Sequence, residues 1–402
     1  MSTKKIQTAG QIKEMMMMYY LTAKNAAFNN QTIGWITSGG PVELLLTFDI
    51  IPIYPENHGA MVGASKMGGG LAEVAEGMGY SPDLCAYFRI DVGQAATGGG
   101  PIAGLPKPNF LICANNICKT VTKWYEIQAA RYDVPLFMVD MPFIEGEITD
   151  HEVKYVAQQL RELVPRLEEI TGRAFDEQKF IQVLERSRDG IRLWMECLDY
   201  CGAVPAPLSS FDTFFLMGPI VTLRGDQRTV DLYKSLLVEM RERVEQGISA
   251  VENEKHRLLF DNIPMWYATK YMFNKLAERN AAVVTATYTA SWSMERDMTQ
   301  GDAFEAMAYN YLAPYINRGF ETRLSMLEGL IRKFKCDGFV MHSARSCKAY
   351  SLGQYDLRDA LTERLSVPGV VIEGDIADER MWSEGQIGTR LEAFLEALNG
   401  GR

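Results

Sequence analysis

Three of the seven cysteines stand far apart, each where strand-like or turn-like residues give way to a helical run. They are Cys85 in SPDLCAYFRIDVG, Cys118 in LICANNICKTVTKWYE and Cys347 in MHSARSCKAYSLGQYD. Thiolates are the ligands of structural zinc and of iron–sulfur clusters, and the two differ in pattern. Structural zinc takes four Cys or His ligands, commonly paired as CxxC, and no CxxC occurs here. Three separated thiolates suit an iron–sulfur cluster that keeps one iron open to water or substrate. The alternative is three buried cysteines packed as small apolar residues. The other four read as core: Cys113 lies inside a strand-like LICA, and Cys336 precedes a strand. Cys197 and Cys201 share one helix face, a spacing that suits two core residues as well as a metal clamp. The core reading is adopted, so no second cluster is expected.

Two further groups sit where a ligand would meet them. Ser38 follows a strand and precedes the Gly39-Gly40-Pro41 break, and Glu56 follows a strand that ends at Tyr54. A desolvated carboxylate beside a cluster is a proton carrier. The plainer alternatives are a helix cap for Ser38 and a solvated turn residue for Glu56. His58 and His342 are candidates for supporting or substrate-binding roles, whereas His151 and His256 fall in charged, helix-like segments and read as solvated. No HExxH or other paired-histidine motif occurs, and the glycine triplets at 68–70 and 98–100 lack the context of a phosphate loop. They read as flexible turns, the second a linker from helix to strand, and the chain has no ATP-binding signature.

These residues need a frame to bring them together. The 402 residues are 47% hydrophobic and 23% charged with a net charge of -10, which builds a large core and leaves no basic stripe for nucleic acid. The start MSTKKIQTAGQIKE lacks the apolar stretch of a signal peptide, and the apolar runs are too interrupted to span a bilayer. An odd number of scattered cysteines argues against a disulfide framework. The expectation is a cytoplasmic protein with no nucleic-acid or membrane partner.

A helix is expected at about 11–28. Strands are expected in TIGWITS, NFLICA, VPLFMVD, AAVVTATYT, CDGFVMHS and VPGVVIEGD, each short, apolar or β-branched and bounded by Gly, Pro, Asn or Asp. A helical stretch without strands fills about 150–246. NFLICANNIC and DGFVMHSARSC each run strand, polar turn, cysteine and helix, and each is followed by a Val-Pro that opens another strand. The spacing predicts an α/β protein of two Rossmann-like or flavodoxin-like βαβ domains, their parallel sheets facing a cleft, with a central helical region. The expected boundaries are 1–148, carrying Cys85 and Cys118, then a helical 149–250, then 251–402 with Cys347. Both repeat-borne cysteines would then lie beyond strand carboxyl ends, where open α/β sheets bind ligands.

The segments IPIYPENHGAMVGA, GYSPDLCAY, LPKPNFLICANNICKTVTKWYE, FDTFFLMGPIVTLRG, HSARSCKAYSLGQYD and VVIEGDIADER together resemble the family of ATP-activated 2-hydroxyacyl-CoA dehydratases and benzoyl-CoA reductases. The resemblance runs from about Gly34 to the C-terminus. It implies a [4Fe–4S] cluster on Cys85, Cys118 and Cys347 with one open iron site, and an acyl-CoA substrate near Ser38 and Glu56. It implies a paralogous subunit, and a separate ATPase activator with its own iron–sulfur cluster that injects an electron and generates a ketyl radical from the thioester. ATP is then used by the activator, not by this chain. The strings CKTVTKWYE and HSARSCKAYSLGQYD favour a benzoyl-CoA-reductase-like subunit, with an (R)-2-hydroxyacyl-CoA dehydratase subunit as the near alternative. A double-cubane reductase, which calls for six cysteine ligands, and a non-catalytic electron-transfer subunit are the remaining readings.

Overall fold

The computed structural model describes residues 4–400. Every strand expected from an apolar run forms, and every strand pairing is parallel. The first sheet contains β1 (Ile33–Ile36), β2 (Ile51–Ile53), β3 (Phe110–Ala114) and β4 (Leu136–Val139) in the order β2-β1-β3-β4. The second contains β5 (His256–Asp261), β6 (Ala281–Ala286), β7 (Gly338–Ala344) and β8 (Gly369–Gly374) in the order β6-β5-β7-β8. The halves therefore repeat one flavodoxin-like topology, and in each the order reverses between the first and third strands, the switch point at which such sheets bind ligands. β1, β3, β5 and β6 are buried at every position, as expected for parallel strands covered on both faces.

Helices supply the covers. The first half carries α1 (Thr8–Lys24), α2 (Val42–Thr47), α3 (Pro55–Ala64), α4 (Gly68–Gly77), α5 (Ala86–Thr97) and α6 (Thr120–Tyr132). Between the sheets run α7 (Asp150–Thr171), α8 (Glu177–Asp199), α9 (Ser210–Leu216), α10 (Gly218–Thr222) and α11 (Gln227–Glu245), with no strand among them. The second half adds α12 (Thr269–Ala277), α13 (Thr287–Ala290), α14 (Ala303–Leu312), α15 (Phe320–Phe334), α16 (Lys348–Ser351), α17 (Gln354–Leu365) and α18 (Glu384–Gly400). The central helices start at local signals. Thr149 and Glu152 form a capping box on α7, Ser209 and Asp212 form one on α9, and the Asp176 carboxylate caps α8. Their apolar faces then pack both ways, α7 on α14 and α8 on α2. Among the described residues no helix is long and apolar enough to cross a membrane.

Two expectations are corrected. His256, expected to be solvated in a helical segment, opens β5, is buried, and places Nε2 3.1 Å from Asn399 Oδ1. The apolar RLLF run is too short, and too closely flanked by charges, for its period to distinguish strand from helix. The 68–70 triplet is no flexible turn: it opens α4, and a Cβ on Gly68 would stand 1.9 Å from the Ala377 carbonyl oxygen. Glycine is needed there because the two halves touch backbone to backbone.

That seam is also ionic. Arg89, fully buried on α5, donates to Asp378 at 2.9 Å and to Glu76 at 2.5 Å, while Arg380 donates to both carboxylates. A buried guanidinium is tolerable only when paired in this way, and removing one partner would strand a charge. The pairing locks α4 and α5 against the loop after β8 and so fixes where Cys85 meets the second half.

Candidate functional site

Cys118 lies on the turn after β3, and the asparagines before it hold that turn in place. Asn115 donates to Asp140 Oδ1 at 2.7 Å and accepts from the Met141 amide at 2.7 Å. Asn116 donates to the carbonyls of Gly39 at 3.1 Å and Tyr311 at 2.7 Å, tying the Cys118 turn to the Ser38 loop and to the second half. Cys85 and Cys347 are the N-cap residues of α5 and α16. Their loops are joined directly, because the Ala86 amide donates to Ser346 Oγ at 3.0 Å. One link thus pins the residue after Cys85 to the residue before Cys347.

Charge passes between the thiols, most of all to Cys85. Burial pushes all three up, that of Cys347 to about 12. Charge on Cys347 and Cys118 raises Cys85 further, and charge on Cys118 raises Cys347. Backbone amides of Phe88, of Val121 and Thr120, and of Tyr350 oppose this at Cys85, Cys118 and Cys347. None of the capping positions makes a side-chain hydrogen bond of ordinary geometry. As bare thiols these groups are protonated and inert at neutral pH; a strongly positive centre between them would turn all three into thiolates. Among the described residues no group of three His, Cys, Asp or Glu side chains is gathered tightly enough for a single ion. A cubane separates its cysteine sulfurs by its own width and does not require that contact. The donor set therefore fits an iron–sulfur cluster better than a mononuclear metal.

Glu56 lies in the first turn of α3, opened by Pro55. Its Oε1 accepts from the Ser38 amide at 3.3 Å and its Oε2 from the Tyr125 hydroxyl at 3.3 Å. Burial pushes the carboxyl up to about 7, although its own amide, the Ser38 amide and Tyr125 pull the other way. Desolvation outweighs the helix terminus and leaves a carboxyl that exchanges protons near neutrality. The Ser38 hydroxyl is buried without a protein partner. Ser38, Glu56 and Cys118 thus meet at the switch point of the first sheet, and charge on Glu56 is felt at Cys118.

The two histidines stand apart from this group. His58 is fully buried with neither ring nitrogen partnered, and burial followed by the nearby Lys24 lowers it to about 4. Its neighbours are Lys24 and Gly100 rather than a cysteine. His342, inside β7, places Nδ1 2.7 Å from the Ile263 carbonyl, so Nδ1 carries the proton; burial lowers its pKa, and its charged neighbours are Asp375 and Asp261. Cys113, Cys197, Cys201 and Cys336 are all buried in the core.

Sequence reasoning missed the aromatic wall beside the cysteines. Trp266 Nε1 donates to the Tyr87 hydroxyl at 2.5 Å, and ionisation of Tyr87 is opposed by burial, by Tyr288 and by Cys85 and Cys347. Tyr288 is likewise raised by burial, then by Glu56 and Cys347, so it lies between carboxyl and thiols. A signal existed: Tyr288 follows β6 as Glu56 follows β2. The repeat is evident in sequence only at the third and fourth strands of each half. Tyr288 and Trp266 also line a cavity of about 690 Å³ bounded by α1, α3, α9 and α10.

Two parallel flavodoxin-like sheets, with Cys118, Cys347 and an elevated carboxyl beyond strand carboxyl ends, define an α/β protein with the features of an enzyme site. The family model of 2-hydroxyglutaryl-CoA dehydratase, D-component, matches residues 37–398, and the chain belongs to that family. It is similar to the (R)-2-hydroxyisocaproyl-CoA dehydratase alpha subunit of Clostridioides difficile, at 35% identity over 96% of this chain and 95% of the relative. The (R)-phenyllactyl-CoA dehydratase alpha subunit of Clostridium sporogenes is 33% identical over 96% and 94%. A benzoyl-CoA reductase subunit of Thauera aromatica is 27% identical over 92% and 89%. The chain is thus an enzyme of the lyase or oxidoreductase kind. Similarity to the two dehydratase subunits exceeds that to the reductase subunit, against the branch favoured by the two cysteine-loop strings.

Proposed function

We propose that this chain is the cluster-bearing subunit of an (R)-2-hydroxyacyl-CoA dehydratase. The observation that carries the reading is that the Cys85 and Cys347 loops are joined through the Ala86 amide and Ser346, that Cys85 senses charge on Cys118 and Cys347, and that a Glu56 carboxyl poised near pH 7 is felt at Cys118. The higher identity to dehydratase alpha subunits supports this branch over the reductase.

Cys85, Cys118 and Cys347 would hold a [4Fe–4S] cluster. When bound, it supplies one-electron chemistry at low potential and one open iron position. The chain's own residues do the rest. Removal of water across C2 and C3 of the acyl group needs a base for a C3 proton and a proton for the departing C2 hydroxyl. Glu56, near its midpoint at neutral pH, suits both exchanges. The partnerless Ser38 hydroxyl is available to orient an oxygen of the thioester or of the leaving group, and Tyr87, Trp266 and Tyr288 give the site an aromatic side. A paralogous subunit and an ATPase activator complete the system, as expected for a chain without a phosphate-loop sequence.

The test is anaerobic assay of the reconstituted complex, with activator and Mg-ATP, against 2-hydroxyacyl-CoAs and benzoyl-CoA. Enoyl-CoA formation from the former is expected. Ring reduction without dehydration would return the chain to the reductase branch, and ATP hydrolysis by this chain alone at the rate of turnover would contradict the division of labour.

A further inference from the structure

Helix α1 presents one continuous stripe to the cavity: Lys13, Met16, Met17, Tyr20, Leu21 and Lys24, the spacing of a single helical face. Lysines stand at the two ends of that stripe, about 16 Å apart along the axis, with methionine, tyrosine and leucine between. Opposite lie Phe214 and Phe215 of α9, Met217 and Val221. At the inner end, Asn57 and Ala60 of α3 adjoin Glu56, and Tyr288 faces both Glu56 and Cys347. The cavity therefore reaches Asn57, the residue next to Glu56, and the ring of Tyr288, which senses charge on Glu56 and Cys347.

Its chemistry is selective. Among the lining residues Lys13 and Lys24 are the charged ones, and no arginine or histidine joins them. Lys13 is exposed, and Lys24 already donates to the Ala103 carbonyl at 2.9 Å, so neither projects a free cation onto the inner wall. A second carboxylate on the acyl group would enter apolar surroundings without a partner there, which is strongly unfavourable. Methionine side chains and aromatic faces favour bulky apolar groups of varied shape, because thioethers repack cheaply and contact rings well. The volume, about 690 Å³, is in the range of pockets that enclose a whole small ligand.

We infer that this cavity receives the acyl end of the CoA thioester and selects an uncharged, bulky acyl group, branched aliphatic or aromatic, against one that carries a second carboxylate. Lys13, exposed at one end of the α1 stripe, then faces the phosphates of CoA. This inference rests on the CoA-thioester reading given above.

The experiment is anaerobic calorimetric titration of the full chain, without reductant, with four probes: CoA, a branched aliphatic 2-hydroxyacyl-CoA, a phenyl-bearing one, and one ending in a carboxylate. The apolar thioesters should bind at least about tenfold tighter than the acidic one. Ala60→Trp, with unchanged circular dichroism, should weaken the bulky thioesters at least about tenfold while sparing CoA. Met61→Arg should narrow or reverse the preference. Equal or tighter binding of the acidic thioester would overturn the inference and leave the CoA reading intact, as would a folded Ala60→Trp that binds all probes like the wild type. Failure of CoA and every thioester to bind would remove both.

Discussion

The two halves share one strand order and use it differently. After β1 and β2 of the first half come Ser38, Tyr54, Asn57 and His58, and each buries at least one polar atom that finds no protein partner. After β5 and β6 the corresponding polar groups are closed on one another. Asp261 accepts from Thr287 at 2.9 Å and from Gln354 at 2.9 Å. Asn262 takes the Thr287 hydroxyl through its amide at 3.0 Å and the His342 carbonyl through its side chain at 2.6 Å. Buried polar atoms are almost always satisfied, so a cluster of unsatisfied ones marks a surface shaped for something other than folding. The comparison teaches a division of labour. The loops after β1 and β2 keep polar groups available for chemistry, whereas those after β5 and β6 bond theirs to one another, and the second half contributes Cys347 and Tyr288.

The largest expected effect tests the one ligand the second half supplies. Anaerobically purified protein should contain about four irons per chain, the content of one cubane. Cys347→Ala should remove most of that iron and all turnover, as should Cys85→Ala and Cys118→Ala. Cys113→Ser, Cys197→Ser, Cys201→Ser and Cys336→Ser should retain it. Full iron in Cys347→Ala would break the assignment and confine the reactive centre to the first half.

The next effect sets one carboxylate against its counterpart. Glu56→Gln should cut turnover by roughly 10²-fold or more with iron unchanged, and the limb of the pH profile near pH 7 should disappear. The carboxyl is raised from about 4.5 to about 7, so the unfolded chain loses the proton first. Its stabilising contribution is complete below pH 4.5 and is lost as pH rises to 7. At pH 8 Glu56→Gln should therefore be more stable than the parent, by on the order of 3 kcal/mol at most. Asp261→Asn should do the reverse. Its new amide would face the Gln354 donor, costing about 1–3 kcal/mol in denaturant melts, while turnover per folded cluster stays near that of the parent. Equal kinetic damage from both substitutions would erase the distinction between the halves.

Much of this is legible in the sequence. Seven of the eight strands announce themselves because buried parallel strands read as apolar runs, and the Cys118 and Cys347 segments expose the repeat because strand, polar turn and cysteine recur together. β5 is hidden by the charges beside RLLF, and its loss conceals the first and second strands of the repeat, where Tyr288 stands opposite Glu56. The glycines at 68–70 mislead because their role is a contact with Ala377, far away in sequence. The cavity is invisible for the same reason. Its walls come from α1, α3, α9 and α10, and Met16, Met61 and Phe214 become one surface only once those helices are packed. The unpartnered Ser38 hydroxyl supplies another test: Ser38→Ala should leave stability within about 0.5 kcal/mol while lowering turnover about tenfold. Unchanged turnover would make the hydroxyl incidental.

The smallest effect isolates a single hydroxyl. Tyr125 is fully buried on α6, and its hydroxyl donates to Glu56 Oε2 at 3.3 Å. Tyr125→Phe keeps the ring in place and removes only the donor. A donor favours the charged carboxylate, so its loss should raise the Glu56 pKa further above 7 and move the pH limb to the alkaline side. Because the bond is long, the displacement should be less than about one pH unit. If the ionised carboxylate is the active form, turnover at pH 7 should fall by a few-fold and recover when the assay is made more alkaline, a rescue that Glu56→Gln cannot show. Stability should change by about 1 kcal/mol or less. A loss of turnover equal at every pH would mean that Tyr125 shapes the pocket rather than tunes the carboxyl, and a limb displaced to the acid side would contradict the sign argued here.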